Sequence, residues 1–203
     1  MERHKVGFTG PILFPIYCLN YARKKSKIEP ETVVLPSDIF KVEDFKDFTL
    51  ESEEGTKFPC HRIVLGAQST VLKRMFIAPM EEKKNSTLKL EYKADIVEKF
   101  VNFFYSEEIE DEKEENLRCY LEMAEKYDIT HLKELVEEIA IRQLTVENMV
   151  DLFLLADHFS AETLRKAAMD CIKSNKKKVR ESLAEMEKLE KSQMMKIMDI
   201  LFD

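Results

Sequence analysis

PCHRIVLGAQSTVLKRMF (residues 59–76) is the most informative stretch of this sequence for its architecture. From Arg62 onward its apolar residues recur three or four positions apart, which is the spacing of a helix with one buried face. Ser69 or Thr70 then offers a side-chain oxygen that caps a second short helix. The stretch therefore predicts a helical hairpin packed behind a sheet, with an apolar face made of Ile63, Val64, Ala67, Val71 and Met75.

The residues on either side of this stretch predict the sheet. Two short runs, DFTLES at 47–52 and TKFPC at 56–60, flank the turn residue Gly55, which is the pattern of a β-hairpin. A short helix through Asp44 is expected to lead into the first of these strands. A later run alternates apolar and polar residues and predicts another strand with one buried face, carrying Leu88, Leu90 and Tyr92.

The rest of the chain reads mainly as helix. Residues 95–105 are apolar almost all round, so this helix must be buried at the centre of the fold. The acidic run 107–115 is predicted to be a loop. Helices follow around Leu117 and Leu132, another begins at Thr145, and amphipathic helical patterns continue to the end of the sequence.

Length and charge limit the function classes. A chain of 203 residues forms one domain with appendages or two small domains. Its net charge of −7 argues against a nucleic-acid partner, because phosphate binding rewards a basic face. We interpret the basic runs Arg23–Lys27 and Lys176–Arg180 as solvated surface, with a localisation signal as the alternative.

The four cysteines and four histidines form no metal-binding pattern. Cys60 and His61 are neighbours in a predicted strand, so their side chains point to opposite faces. Cys119 and Cys171 fall among apolar helix positions and are expected to be reduced, buried thiols. No GxSxG, P-loop or HExxH motif is present. We therefore expect no catalytic residue, metal or cofactor, and we interpret His61 as a hydrogen-bonded core residue.

The opening stretch also resembles a known family. Its residues match the BTB/POZ pattern H-K/R-x-x-L-x-A-x-S-x-x-L/F-x-x-M-F at His61, Arg62, Leu65, Ala67, Ser69, Leu72, Met75 and Phe76. The similarity extends from about Val42 to Ile172 through FFYSEEI, LEMAEKYDITHLK and TVENMVDLFLLADHFSAETLRKAAMDCI. This order is most similar to the BTB plus three-box region of speckle-type POZ (MATH-BTB) proteins. The resemblance implies an α/β (α+β) BTB/POZ fold, a small sheet flanked by a cluster of helices, with a C-terminal helical extension.

Three regions follow from this comparison. Residues 37–144 correspond to the BTB/POZ domain, and residues 145–203 correspond to a three-box or BACK-like helical extension. Residues 1–36 are expected to be an N-terminal extension that is either disordered or docked on the domain. Its apolar part, Val6–Ala22, resembles a weak signal peptide or membrane anchor, but it is shorter than the roughly 20 residues that a membrane span needs.

The family resemblance implies a surface for cullin-3. Met80 and Glu82 resemble the φ-x-E element, in which an apolar residue two positions before a glutamate inserts into a groove on the cullin. The family's other positions on that face correspond to Phe76, Tyr105, Lys126, Tyr127 and Asp128. Core packing is the alternative interpretation for Phe76 and Tyr105.

The resemblance also implies self-association, as a homodimer or as a heterodimer with another BTB protein. Asp47 and Arg62 match a charged pair near the family's dimer interface. Because a buried charge is costly unless it is paired, we expect the two side chains to form a salt bridge. The apolar part of the interface corresponds to Phe40, Val42 and Phe45.

The expected function is a protein–protein interaction module that serves as a substrate adaptor of a cullin-3 RING ubiquitin ligase in the cytoplasm, the nucleus or both. The alternative is a self-assembling BTB scaffold or transcriptional co-regulator that does not bind a cullin. No MATH or kelch pattern is present for binding a protein substrate. The substrate is then bound through a heterodimer partner, through residues 1–36 or 178–203, or through a longer gene product of which this chain is a fragment.

Overall fold

The computed structural model describes residues 36–77, 86–109, 113–179 and 191–202. The predicted N-terminal extension, apart from Pro36, lies outside these ranges, and so do Met80 and Glu82. Within the described residues, no helix has the length and apolar character required to cross a membrane.

The segment before the first strand is not one continuous helix. Helix α1 (Pro36–Phe40) ends four residues before Asp44, and a separate 3₁₀ turn covers Glu43–Phe45. The prediction of a helix through Asp44 was therefore wrong. The amides of Lys41 and Val42 bond to carbonyls three residues back, which tightens the last turn of α1 and ends it.

A three-stranded sheet follows, but its third strand is shorter than the alternating pattern predicts, since Leu90 and Tyr92 lie beyond its end. It consists of β1 (Phe48–Glu51), β2 (Lys57–Cys60) and β3 (Thr87–Lys89), in the order β2-β1-β3. β1 and β2 are antiparallel, with Phe48 opposite Cys60, whereas β1 and β3 are parallel. Gly55, with φ of 85°, forms the hairpin turn, because other residues adopt that conformation at a cost.

The helical hairpin is present where the sequence predicts it. Helix α2 (Arg62–Gln68) and helix α3 (Thr70–Ile77) are separated by Ser69. The Ser69 hydroxyl oxygen accepts a 3.0 Å hydrogen bond from the amide of Leu72, so Ser69 is the cap. The predicted apolar face was wrong in part, because Ala67 and Ile63 are exposed and the fully buried residues are Leu65 and Leu72.

Helix α4 (Ala94–Ser106) is the central element, as its apolar sequence predicts. Its side chains fill the space between the sheet and the remaining helices, and edge-to-face contacts of Phe100 and Phe103 with Phe104 tie its turns together. The left-handed residue Glu107, with φ of 59°, ends the helix. Seven of its residues are buried: Ile96, Val97, Phe100, Val101, Phe103, Phe104 and Tyr105.

Five further helices complete the described chain: α5 (Glu114–Lys126), α6 (Thr130–Arg142), α7 (Met149–His158), α8 (Glu162–Ser174) and α9 (Lys191–Phe202). Helix α7 begins four residues after Thr145, where the sequence had predicted its start. Two apolar clusters hold these helices, and α7 belongs to both. Leu152 packs into the large cluster around α4, whereas Phe153 packs into a smaller one that includes Ile197 of α9.

Cys60 and Cys171 are free thiols. Cys60 is fully buried, and burial raises the pKa of its thiol to about 12. Cys119 and Cys171 are only half-buried, so the expectation that both are buried was wrong. The described residues contain no group of three or more histidine, cysteine, aspartate or glutamate side chains arranged to hold a metal ion.

Candidate protein-interaction site

Two neighbouring hydroxyls join the helical hairpin to the turn between α5 and α6. The Ser69 hydroxyl donates a 2.5 Å hydrogen bond to the carbonyl of Tyr127. The Thr70 hydroxyl donates to the carboxylate of Asp128. These two bonds bring together positions 58 residues apart in the chain and place the start of α3 against the turn.

The turn presents two charged side chains to solvent. Lys126 and Asp128 are exposed, and the Lys126 ammonium lies 5.7 Å from the centre of the Tyr127 ring. Asp128 has a φ of 51°, a left-handed conformation that aspartate tolerates better than most residues. Among the described residues that the sequence predicts for a cullin-facing surface, Lys126 and Asp128 are the exposed ones.

Tyr105 and Tyr127 are almost fully buried. Their exposed fractions are 3% and 4%, so the expectation that both line a contact face has to be corrected. Burial raises the pKa of each phenol to about 12, so both stay protonated at neutral pH. For Tyr105, the structure shows the alternative interpretation, which is core packing.

The environment of Tyr105 explains its burial. Its hydroxyl oxygen accepts a 3.0 Å hydrogen bond from the backbone amide of His61 and lies 2.9 Å from Nδ1 of the same residue. Nε2 of His61 is 3.2 Å from the carbonyl of Val42, which only accepts, so in the neutral ring Nε2 donates to that carbonyl and Nδ1 accepts from Tyr105. The prediction that His61 is a hydrogen-bonded core residue is confirmed. This network joins the end of α1, the start of α2 and the end of α4.

Phe76 is half-buried and packs inward. Its ring contacts Phe48 edge-to-face at a centroid distance of 4.9 Å, and the Arg62 guanidinium lies 5.5 Å from its centre. Sequence reasoning left core packing open for Phe76, and the structure shows that packing. The described part of α3 ends at the exposed residue Ile77, three positions before Met80.

The side chains of Asp47 and Arg62 do not form the predicted salt bridge. Instead, Asp47 Oδ1 accepts a 2.8 Å hydrogen bond from the backbone amide of Arg62, the first residue of α2. The Arg62 guanidinium lies 5.2 Å from the centre of the Phe48 ring, and one of its nitrogens is 3.5 Å from the Ser86 hydroxyl. Asp47 therefore satisfies an unpaired amide at a helix N-terminus, where negative charge is favourable.

The apolar residues assigned to self-association divide into two groups. Phe40 packs inward, with its ring 4.7 Å from that of Tyr105 and the Lys46 ammonium 4.6 Å from its centre. Val42 and Phe45 face solvent, with Phe45 74% exposed. Sequence reasoning missed Ile63, which is 80% exposed, because its helical spacing placed it on the apolar face of α2.

A shallow groove of about 470 Å³ opens between α1 and the end of α4. Phe40, Tyr105 and Ile109 supply apolar surface, and polar side chains of α4 form much of the rim. The complete lining is Phe40, Glu98, Lys99, Asn102, Tyr105, Ser106, Glu108 and Ile109. The groove adjoins the His61–Tyr105 network.

Comparison with known proteins agrees with this fold. The BTB/POZ domain family matches residues 37–144, which is just over half of the chain. Kelch-like protein 23 of Mus musculus is 35% identical over 136 residues, and the same-named proteins of Pongo abelii and Homo sapiens are 34% identical over 136 residues. Each match covers 66% of this chain but only 24% of the relative. These relatives are kelch-like proteins, whereas the sequence pattern had pointed to the MATH-BTB subgroup. The small sheet, the helical hairpin behind it and the match over residues 37–144 together show that this chain belongs to the BTB/POZ domain family.

Proposed function

We propose that this protein is a substrate adaptor of a cullin-3 RING ubiquitin ligase that acts in the cytoplasm, the nucleus or both. The observation that supports this most directly is the pairing of Ser69 with Tyr127 and of Thr70 with Asp128. Through these bonds, α3 and the α5–α6 turn form one continuous face. Ile77 lies about 10 Å along the helix from Thr70, and Met80 follows it by three positions in the sequence.

The adaptor function requires binding and no chemistry by this chain. In our proposal, Met80 inserts its flexible thioether into an apolar groove of the cullin, Glu82 supports this contact, and Lys126 and Asp128 form the polar margin. Helices α7 and α8 correspond to the three-box and extend the same binding surface. The substrate protein is bound through a heterodimer partner, through residues 1–36 or 178–203, or through a longer gene product of which this chain is a fragment.

The test is binding to the N-terminal region of cullin-3. Met80→Ala combined with Glu82→Ala should weaken binding about thirtyfold, because loss of a central apolar anchor costs on the order of 2 kcal/mol. The melting temperature should stay nearly unchanged. Met195→Ala removes an exposed methionine from α9 and is the matched control, which should bind like the wild type. Wild-type protein that does not bind, or a double variant that binds equally well, would refute the adaptor function.

A second candidate is a self-assembling scaffold or transcriptional co-regulator that never binds a cullin. The exposed apolar side chains of Val42, Phe45 and Ile63 favour it. They lie on two segments joined by the His61–Val42 and Asp47–Arg62 hydrogen bonds. A homodimer or a heterodimer with another BTB protein would cover them. Self-association without cullin binding would support this second function.

A further inference from the structure

Helix α8 begins against a buried carboxylate of another helix. Glu137 lies on α6 and is 7% exposed. Its Oε2 accepts a 2.9 Å hydrogen bond from the backbone amide of Leu164, the third residue of α8. The residue that precedes α8 is Ala161, whose side chain cannot cap the helix. Glu137 therefore supplies from α6 the acceptor that a capping residue normally supplies locally.

Burying the Glu137 carboxylate costs free energy, and we attribute the compensating advantage to the orientation of α8. Among the residues that the structure describes, no cation pairs with Glu137, so the amide of Leu164 and the positive end of α8 are what compensate its charge. An apolar side chain would fill the space between α6 and α8 without that cost. It would also allow α8 to slide or rotate on α6, whereas a directed hydrogen bond selects one position.

The connection between α6 and α7 is held by a separate set of bonds. The Asn148 side chain accepts a 2.7 Å hydrogen bond from the amide of Thr145 and donates a 3.0 Å bond to the carbonyl of Gln143. Hydrogen bonds within residues 143–148 therefore hold the segment at the end of the BTB/POZ match. The α7–α8 pair is therefore attached to α6 at two points, by Glu137 at the start of α8 and by Asn148 just before α7.

We propose that Glu137 is a positioning residue that sets the orientation of α7 and α8 on the BTB/POZ domain for the partner. A partner that contacts both the α5–α6 turn and the α7–α8 pair then meets a single preformed surface, and it need not order that surface on binding. The partner half of this inference rests on the proposed adaptor function. The positioning half rests on the Glu137–Leu164 bond alone.

Three substitutions on α6 separate the roles of Glu137. Glu137→Ala removes the acceptor, Glu137→Gln keeps an acceptor oxygen without the charge, and Glu138→Ala changes an exposed neighbour as the matched control. In the full chain, amide hydrogen exchange at Leu164 should accelerate about tenfold or more in Glu137→Ala, while the amides of Phe100 and Val101 in α4 stay protected. Glu137→Gln should restore protection to within about threefold of wild type, and Glu138→Ala should exchange like wild type.

Binding to the N-terminal region of cullin-3 is measured on the same proteins. Glu137→Ala should bind about fivefold more weakly with the α4 amides still protected, and Glu137→Gln should recover most of that loss. Unchanged exchange at Leu164 in Glu137→Ala, or equal acceleration in α4, would overturn the positioning role. Glu137→Ala that loosens α8 yet binds like wild type would overturn the partner role. Wild type that does not bind would refute the adaptor function, and exchange at Leu164 would still test the positioning half.

Discussion

Replacing Ser69 by alanine should remove two hydrogen bonds at the point where the helical hairpin meets the α5–α6 turn. Ser69 is 1% exposed, and its hydroxyl accepts from the amide of Leu72 and donates to the carbonyl of Tyr127. Alanine fits the space but offers neither a donor nor an acceptor. The amide of Leu72 loses its cap, and the carbonyl of Tyr127 loses this donor in a region that water does not reach.

The expected cost follows from these two losses. Loss of a serine cap typically costs about 1 kcal/mol, and leaving a buried polar group without its partner costs about 1–3 kcal/mol. Ser69→Ala should therefore lower the free energy of unfolding by about 2–4 kcal/mol. For a chain of this size, each kcal/mol shifts the melting temperature by about 2–4 °C, so a fall of about 4–16 °C is expected.

The assay is denaturant unfolding with Thr70→Ala as the matched control. Thr70 is the next residue and also bonds to the α5–α6 turn, but it and Asp128 are exposed, so its loss should cost about 1 kcal/mol or less. Both variants should unfold with the wild-type dependence on denaturant, so that the midpoints compare stability directly. If Ser69→Ala costs less than about 1 kcal/mol, or no more than Thr70→Ala, the buried hydroxyl does not hold this junction and the reasoning fails.

Three further predictions test the core, the surface and the buried phenols. Phe100→Ala should lower the free energy of unfolding by about 3–5 kcal/mol in chemical denaturation, and a loss under about 1 kcal/mol would mean that α4 is not the centre of the core. Phe45→Asp combined with Ile63→Asp should shift sedimentation towards the monomer without lowering the melting temperature, and a wild type that is already monomeric at high concentration would exclude self-association through this surface. Burial raises the pKa of Tyr105 and Tyr127 from about 10 to about 12, so the folded state holds these protons more tightly than the unfolded chain. Stability should then be complete below about pH 10 and fall as the pH rises towards 12, and phenolate absorbance from either ring near pH 10 in the folded protein would contradict their burial.

Much of the fold could be predicted because its signals are local. The cap at Ser69 involves an amide only three residues away, so the sequence contains both partners within one turn. The burial of α4 follows from apolar residues on every side of one helix, since no orientation of such a helix leaves it stable in water. The β1–β2 hairpin needs only alternation and a residue such as Gly55 that tolerates a positive φ.

The face of α2 could not be predicted with the same security. Ile63 and Leu65 are both large apolar residues of a seven-residue helix, and so short a helix has no regular stripe that selects between them. Only the position of the sheet and α4 decides that Leu65 is buried and Ile63 is exposed. The same dependence on neighbours separates the buried Tyr127 from the exposed Lys126 and Asp128 on one turn.

The sequence by itself determined the BTB/POZ fold, its central helix and the cap of its helical hairpin, because each rests on contacts within a few residues or on the family's pattern. Tertiary structure alone decided what the charged side chains do. Asp47 bonds to an amide 15 residues away, and Glu137 bonds to one 27 residues away. A carboxylate has no preferred partner until folding brings a donor within about 3 Å and removes competing water. For that reason Asp47 and Arg62 were predicted to form a salt bridge, and the carboxylate instead caps the helix that Arg62 begins.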